Sequence, residues 1–133
     1  MRYLLDTDIC VYIARRKPGR VLSRLEQMKV GDVGISIVTY LELVYGAWKS
    51  RAVEANLAKI EQFRALVPVQ PLDAEVAQHY GRLRAELEST GKPIGAYDLM
   101  ISAHALSLGL TLVTNNLREF SRVRGLRLEN WAE

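Results

Sequence analysis

The chain has 133 residues, of which 49% are hydrophobic and 25% charged, and its formal net charge is +3. This balance excludes an intrinsically disordered protein, and the length allows one domain that folds without disulfides or structural metals. The only cysteine, Cys10, excludes an internal disulfide, and no apolar run approaches the roughly 20 residues of a membrane helix. Without a signal-peptide pattern before the first strand, we expect a soluble cytoplasmic protein.

The first half of the sequence alternates short apolar runs with helical patterns. A strand is predicted at residues 3–5, followed by a helix to about residue 16 that Thr7 or Asp8 caps. The elements predicted after Pro18-Gly19 are a helix with Val21, Leu25 and Met28 on one face, a strand at 33–35, a helix from a Ser36 cap to residue 48, and a helix at 51–66.

The second half continues the alternation. The predicted elements are an edge strand at 67–72 that carries two prolines, a helix capped by Asp73 with Val76, Tyr80, Leu83 and Leu87 as its buried stripe, a helix at 96–108, a strand at 110–114 and a short strand at 126–128. Alternating strands and helices predict an α/β fold, with a parallel sheet covered by helices on both faces. We expect residues 1–133 to form one domain, with its ligand at the carboxyl ends of the strands.

The first predicted strand leads directly into a carboxylate, Asp6. A carboxylate on a core element is costly unless another group satisfies it. Two interpretations fit the local sequence: backbone amides of the following turn cap Asp6, or a metal ion pairs with it. In either case Thr7 and Asp8 are expected to support the turn.

Two further acids stand alone on apolar helices. Glu42 is the only charged residue between positions 37 and 48, and Asp98 lies in the first turn of a helix without another acidic side chain. Each acid also has an interpretation that involves no function. Glu42 fits a narrow solvent-exposed strip of its helix, and Asp98 fits the first turn of a helix, where an aspartate stabilises the positive end of the helix dipole. Ser102 lies four residues after Asp98 and is expected to support it by hydrogen bonding.

The residues that follow the last long strand offer a fourth ligand. Glu119 lies near enough to turn back toward the strand end, and Thr114 and Asn116 offer neutral oxygens. Several acids at one edge of a sheet repel one another, and a divalent cation relieves that repulsion. Oxygen ligands without histidine or cysteine favour Mg²⁺, or Mn²⁺ in its place, over Zn²⁺. Such a site suits phosphodiester hydrolysis.

Several segments, in their order and spacing, resemble the PIN-domain ribonucleases and, more narrowly, the VapC toxins of bacterial VapBC toxin–antitoxin pairs. The segments are residues 3–8, 40–47, 91–98, 113–116, 118–120 and 125–131. Each segment alone is a weak signal, but the combination is specific and covers nearly the full length. The resemblance implies a PIN-like domain in which a small parallel sheet is flanked by helices.

By this resemblance, Asp6, Glu42 and Asp98 are the catalytic acids that hold Mg²⁺ or Mn²⁺. Many relatives have aspartate at the position of Asn116 or of Glu119, where this chain has an amide and a longer acid. Glu119, acting through a water molecule, is the expected fourth acid.

The resemblance also implies a toxic endoribonuclease that cuts structured RNA, with a tRNA anticodon loop, and initiator tRNA in particular, as the expected target. The expected partners are a second copy of the chain, through the helix at 37–48, and a VapB-type antitoxin whose tail covers the acidic site. Two groups of basic residues fit either RNA binding or ordinary solvated surfaces: Arg15, Arg16, Lys17 and Arg20, and Arg118, Arg122, Arg124 and Arg127.

Other functions remain open on sequence alone. Asp6 and Asp8 imitate the nucleophile and general acid of haloacid-dehalogenase phosphatases, although Cys10 stands where threonine or valine is expected. A two-component receiver also carries acids after its first strand, but it needs a lysine after a late strand, and residues 114–116 contain none. A catalytically silent PIN module that only binds a partner is the third alternative, and the retention of all three acids argues against it.

Overall fold

The computed structural model describes every residue from Met1 to Glu133 and contains five strands and seven helices. The strands are β1 (Tyr3–Leu5), β2 (Val33–Ser36), β3 (Val69–Gln70), β4 (Thr111–Val113) and β5 (Leu128–Glu129). The helices are α1 (Thr7–Arg15), α2 (Gly19–Glu26), α3 (Ile37–Lys49), α4 (Val53–Leu66), α5 (Ala74–Ser89), α6 (Ala96–Leu108) and α7 (Leu117–Phe120). None of these helices has the length and apolar character that spanning a lipid bilayer requires.

The strands form one parallel sheet in the order β3-β2-β1-β4-β5. β1 is the central strand, and its last residue, Leu5, pairs with Ile35 of β2 on one side and with Val113 of β4 on the other. The residues that leave these three strands therefore meet at one edge. The predicted α/β class and the predicted edge position of the proline-flanked strand are confirmed.

Both faces of the sheet are buried, as the alternation within β1 shows. Tyr3 and Leu5 pack with Ile9 of α1 and Val21 of α2 in one hydrophobic cluster. Leu4 faces the opposite way, into a second cluster that includes Ile101 and Ala105 of α6 and Leu112 of β4. Successive strand residues point to opposite faces, so three residues are enough to anchor helices on both sides.

A third cluster forms an outer layer between α5 and α6. Its buried members are Val76, Leu83, Leu87, Leu99, Ala103 and Val123. Tyr80, which belongs to the same predicted stripe of α5, is only partly buried. Because α5 covers one side of α6 and the sheet covers the other, α6 is held firmly where its first turn carries Asp98.

Three details of the sequence prediction were wrong. The cap of α1 is Asp6 rather than Thr7 or Asp8, because Asp6 keeps the extended backbone of the strand and its side chain accepts from the Ile9 amide. The last strand is Leu128–Glu129 rather than 126–128, because pairing with β4 places Leu128 opposite Leu112. The single turn α7 was not predicted, since four residues are too few to show helical periodicity.

The cap of α5 gives a stability prediction. Asp73 Oδ1 accepts hydrogen bonds from the amides of Glu75 at 3.1 Å and Val76 at 3.2 Å. Asp73→Ala removes that acceptor and is expected to lower the free energy of unfolding by about 1 kcal/mol in urea denaturation. Asp73→Asn keeps an acceptor and should cost much less, so equal losses for the two variants would contradict the assignment.

Candidate active site

Asp6 is a buried carboxylate that caps a helix and also faces other acids. Only 4% of the residue is exposed, and its Oδ1 accepts from the Ile9 amide at 2.9 Å. Burial raises the pKa of Asp6 from its ordinary 3.8 to about 6. Hydrogen bonds from Thr114 and Ile9 oppose this rise, and the negative charges of Asp8 and Glu42 add to it. The two interpretations of Asp6 are therefore compatible, because the cap leaves the carboxylate incompletely satisfied.

Glu42, on α3, is held by the first residue of α1. Thr7 Oγ1 donates to Glu42 Oε1 at 2.8 Å and lies 3.3 Å from Oγ1 of the buried Thr39. Thr7 was expected to support the turn beneath Asp6. Its hydroxyl instead crosses to the neighbouring helix, where it fixes the direction of the Glu42 carboxylate.

Asp98 and Glu119 form the opposite side of the site. The pKa of Asp98 is raised from 3.8 to about 7. The main cause is burial, followed by the charge of Glu119 and a hydrogen bond between the two side chains. The charges of Asp6 and Glu42 raise it further. The Asp98 and Glu119 side chains are therefore neighbours at this side of the site. Glu119 Oε2 accepts from Asn116 Nδ2 at 2.8 Å, and Asn116 Oδ1 accepts from the Glu119 amide at 3.3 Å. Asn116 thus positions Glu119, which is the acid that reaches Asp98.

Two polar residues of α6 lie away from the acids. Ser102 is buried and donates to the main-chain oxygen of Asp98 at 2.9 Å, so the predicted support of the carboxylate itself was wrong. The geometry follows from the helix, in which a serine hydroxyl reaches the carbonyl four residues earlier. His104 is buried against Ser36, with Nδ1 2.8 Å from Ser36 Oγ.

The four acids have no cationic partner within the chain. The five salt bridges all lie elsewhere and involve Arg2, Arg24, Arg64, Arg82 and Arg84. An all-oxygen donor set without a compensating cation, in which the pKa values of Asp6 and Asp98 are raised, fits a hard divalent ion such as Mg²⁺. No three acids stand close enough to hold an ion in their present rotamers. Thr7 holds the Glu42 carboxylate and Asn116 holds the Glu119 carboxylate in these rotamers.

A chain of neutral polar side chains beside the acids was not predicted. Asn115 Nδ2 donates to the Tyr12 hydroxyl at 3.0 Å, and Asn130 Nδ2 donates to Asn115 Oδ1 at 3.1 Å. We call these three residues the amide strip. The sequence contained one signal for it, because Asn115 directly follows Thr114 at a strand end, but only the fold brings the other two residues to it.

Comparison with known proteins agrees with this geometry. The family model described as "PIN domain" matches residues 3–126. The tRNA(fMet)-specific endonuclease VapC of Shigella flexneri is 48% identical over 132 residues, which cover 99% of each chain. The protein of the same name from Salmonella typhimurium is 44% identical over 131 residues and 98% of each chain.

The same relationship is visible in three dimensions. The crystal structure of DNA-bound VapBC from Salmonella typhimurium includes a chain that superposes with a TM-score of 0.93, at 44% identity and 98% coverage of both chains. The resemblance drawn from the sequence segments is thereby confirmed. The chain belongs to the PIN-domain family and, within it, to the VapC ribonucleases.

Proposed function

We propose that this chain is a Mg²⁺-dependent endoribonuclease that cuts a tRNA loop, with initiator tRNA as its target, and that a VapB-type antitoxin inhibits it. The observation that carries the proposal is the set of four acids at the carboxyl edge of the sheet without a cationic partner. The target follows the relatives from Shigella and Salmonella, which are named tRNA(fMet)-specific endonucleases. The phosphatase alternative is less well supported, because the surface-exposed Asp8 belongs to α1 rather than to this set.

Asp6, Asp98 and Glu42 would hold the ion, and Glu119 would act through a water molecule. When bound, the ion supplies the positive charge that stabilises the phosphate during hydrolysis. Without the ion, Thr114 contacts Asp6, Thr7 holds Glu42, and Asn116 holds Glu119. Glu42 and Glu119 would leave Thr7 and Asn116 to reach the ion. Asp98 would have to lose its proton to hold the ion, and its pKa is raised to about 7, so binding should strengthen as the pH rises through about 7.

The basic surface supports RNA as the substrate. All eight residues of the two basic groups are exposed, and none of them forms a salt bridge. Cations that no acid of the chain neutralises are available to phosphates, and phosphate contacts dominate the affinity of nucleic-acid binding. Arg118 lies next to Glu119 on α7, so it is the basic residue best placed to contact a phosphate near the acids.

An apolar face of α3 supports the proposed homodimer. Leu41, Tyr45 and Trp48 are 62–65% exposed, although a lone monomer would be expected to bury such side chains. The proposed antitoxin follows the Salmonella relative, whose structure is that of a VapBC complex. The unpaired acids would accept a basic side chain from such a partner.

The catalytic proposal predicts the loss of cleavage when an acid is neutralised. Asp6→Asn and Asp98→Asn should each lower Mg²⁺-dependent cleavage of initiator tRNA by about 100-fold or more, because each removes a charge that holds the ion. The measurement is single-turnover cleavage by purified protein, with RNA 5′-end mapping after brief induction to identify the target. Asp73→Asn, on the surface cap of α5, is the matched control and should retain activity. Undiminished cleavage by either site variant would refute the site.

The raised pKa of Asp6 predicts that the wild type is less stable than Asp6→Asn when no metal is present. The folded state holds the Asp6 proton to about pH 6 and the unfolded state only to 3.8, so stability falls as the pH rises through this window. Above pH 6 the accumulated loss is about 3 kcal/mol. Asparagine keeps the Oδ1 acceptor for Ile9 and carries no charge.

The test is urea denaturation of both proteins in EDTA at pH 4 and pH 8. Asp6→Asn should be the more stable protein at pH 8, and the difference should vanish near pH 4. Added Mg²⁺ should stabilise the wild type and not the variant, because only the wild type keeps the full set of ligands. If the wild type is at least as stable as the variant at pH 8 in EDTA, the buried charge of Asp6 does not lower the free energy of unfolding and the prediction is wrong.

Arg118 gives a salt-dependence prediction. Arg118→Ala should weaken tRNA binding and reduce the slope of log affinity against log salt by about one, because one phosphate contact is lost. Arg82→Ala is the matched control, since Arg82 already pairs with Glu86 on α5. Binding is measured by fluorescence anisotropy over a salt series, with Asp98→Asn protein to prevent cleavage. Equal slopes for the two arginine variants would remove Arg118 from the interface.

A further inference from the structure

The amide strip crosses three segments of the chain at one side of the acids. Tyr12 belongs to α1, Asn115 follows β4, and Asn130 follows β5. Asn115 is bonded to both of the others, at 3.0 and 3.1 Å. It also directly follows Thr114, whose hydroxyl contacts Asp6. The strip is therefore fixed in place one residue from the acidic site.

The strip keeps hydrogen-bonding capacity that no group of the protein uses. An asparagine side chain has two N–H donors, and Asn115 and Asn130 each use one within the strip. Tyr12 accepts the bond from Asn115, so its own hydroxyl proton remains free. Asn115 is exposed, whereas the Tyr12 ring packs against the core cluster of α1 and β1. Rigid donors of this kind bind a ligand at little cost in side-chain entropy.

The charges around the strip indicate what it would contact. In the sequence, one basic group begins three residues after Tyr12 and the other begins three residues after Asn115, whereas the strip itself is neutral. In nucleic-acid complexes, cationic side chains mostly contact phosphates, and amide side chains read the edges of bases. Single-stranded loops are recognised by such hydrogen bonds together with aromatic side chains.

We propose that Tyr12, Asn115 and Asn130 bind the nucleobase that adjoins the scissile phosphate and thereby select which loop sequence is cut. This inference rests on the proposed ribonuclease function. It assigns specificity to the strip and hydrolysis to the acids, so the two roles can be separated by experiment. The competing explanation is a tether, since Asn130 Oδ1 also accepts from the Ala132 amide at 2.8 Å and so orders the segment after β5.

The test uses stem-loop RNAs that carry the mapped cut site and differ only in the two bases beside it. For each protein, kcat/KM is measured on the preferred loop and on the changed loops, and their ratio is the discrimination. Asn115→Ala should reduce this ratio by about tenfold or more, because one well-placed amide discriminates between bases by about that factor. Tyr12→Phe removes only the hydroxyl and should reduce the ratio by a smaller factor.

Asn56→Ala is the matched control, because the Asn56 amide donates to Ser50 between α3 and α4, away from the strip. Its ratio should equal that of the wild type. If Asn115→Ala and Tyr12→Phe slow the cleavage of every loop equally, or lower only the melting temperature, the strip is a tether and the proposal is wrong. If the wild type cuts no RNA at all, the proposed ribonuclease function fails instead.

Discussion

The burial of one carboxylate at the end of the central strand is the constraint on which the rest of the site depends. Asp6 leaves β1 between the ends of β2 and β4, where it is 4% exposed. One amide and one hydroxyl satisfy it in part, and its pKa still rises to about 6. The neighbouring elements bring Glu42 and Asp98 toward the same edge, where the charge of Glu42 disfavours the ionisation of Asp6 and the charges of Asp6 and Glu42 disfavour that of Asp98.

The side chains that orient these acids are all neutral. Thr7, Thr114 and Asn116 fix directions through hydrogen bonds, and none of them carries a charge that could offset the acids. A cationic side chain beside the acids would offset their mutual repulsion, and it would also occupy the place of the proposed ion. The arrangement thus leaves the acids of the isolated chain without a compensating charge, and such a cost in stability is common at functional sites.

Much of the fold and the candidate acids Asp6, Glu42 and Asp98 could be predicted because they depend on local patterns, whereas Glu119 was expected from the family resemblance. The alternation of strands and helices determined the sheet, and Glu42 and Asp98 were noticeable as single acids on apolar helices. What could not be predicted depends on contacts between distant segments, such as the bond from Thr7 to Glu42 or from Asn115 to Tyr12. Ser102 shows a related limit, since sequence spacing places it near Asp98 without revealing that its hydroxyl bonds to the main chain.

The pairing of β1 with β4 has a consequence for how the protein is made. β1 is translated well before β4, although the two strands pair side by side in the sheet. Asp6 therefore emerges long before Thr114, Asp98 and Glu119, and the nascent chain cannot assemble the site until β4 has appeared. A ribonuclease with this topology therefore has no assembled active site while the segment between β1 and β4 is being translated.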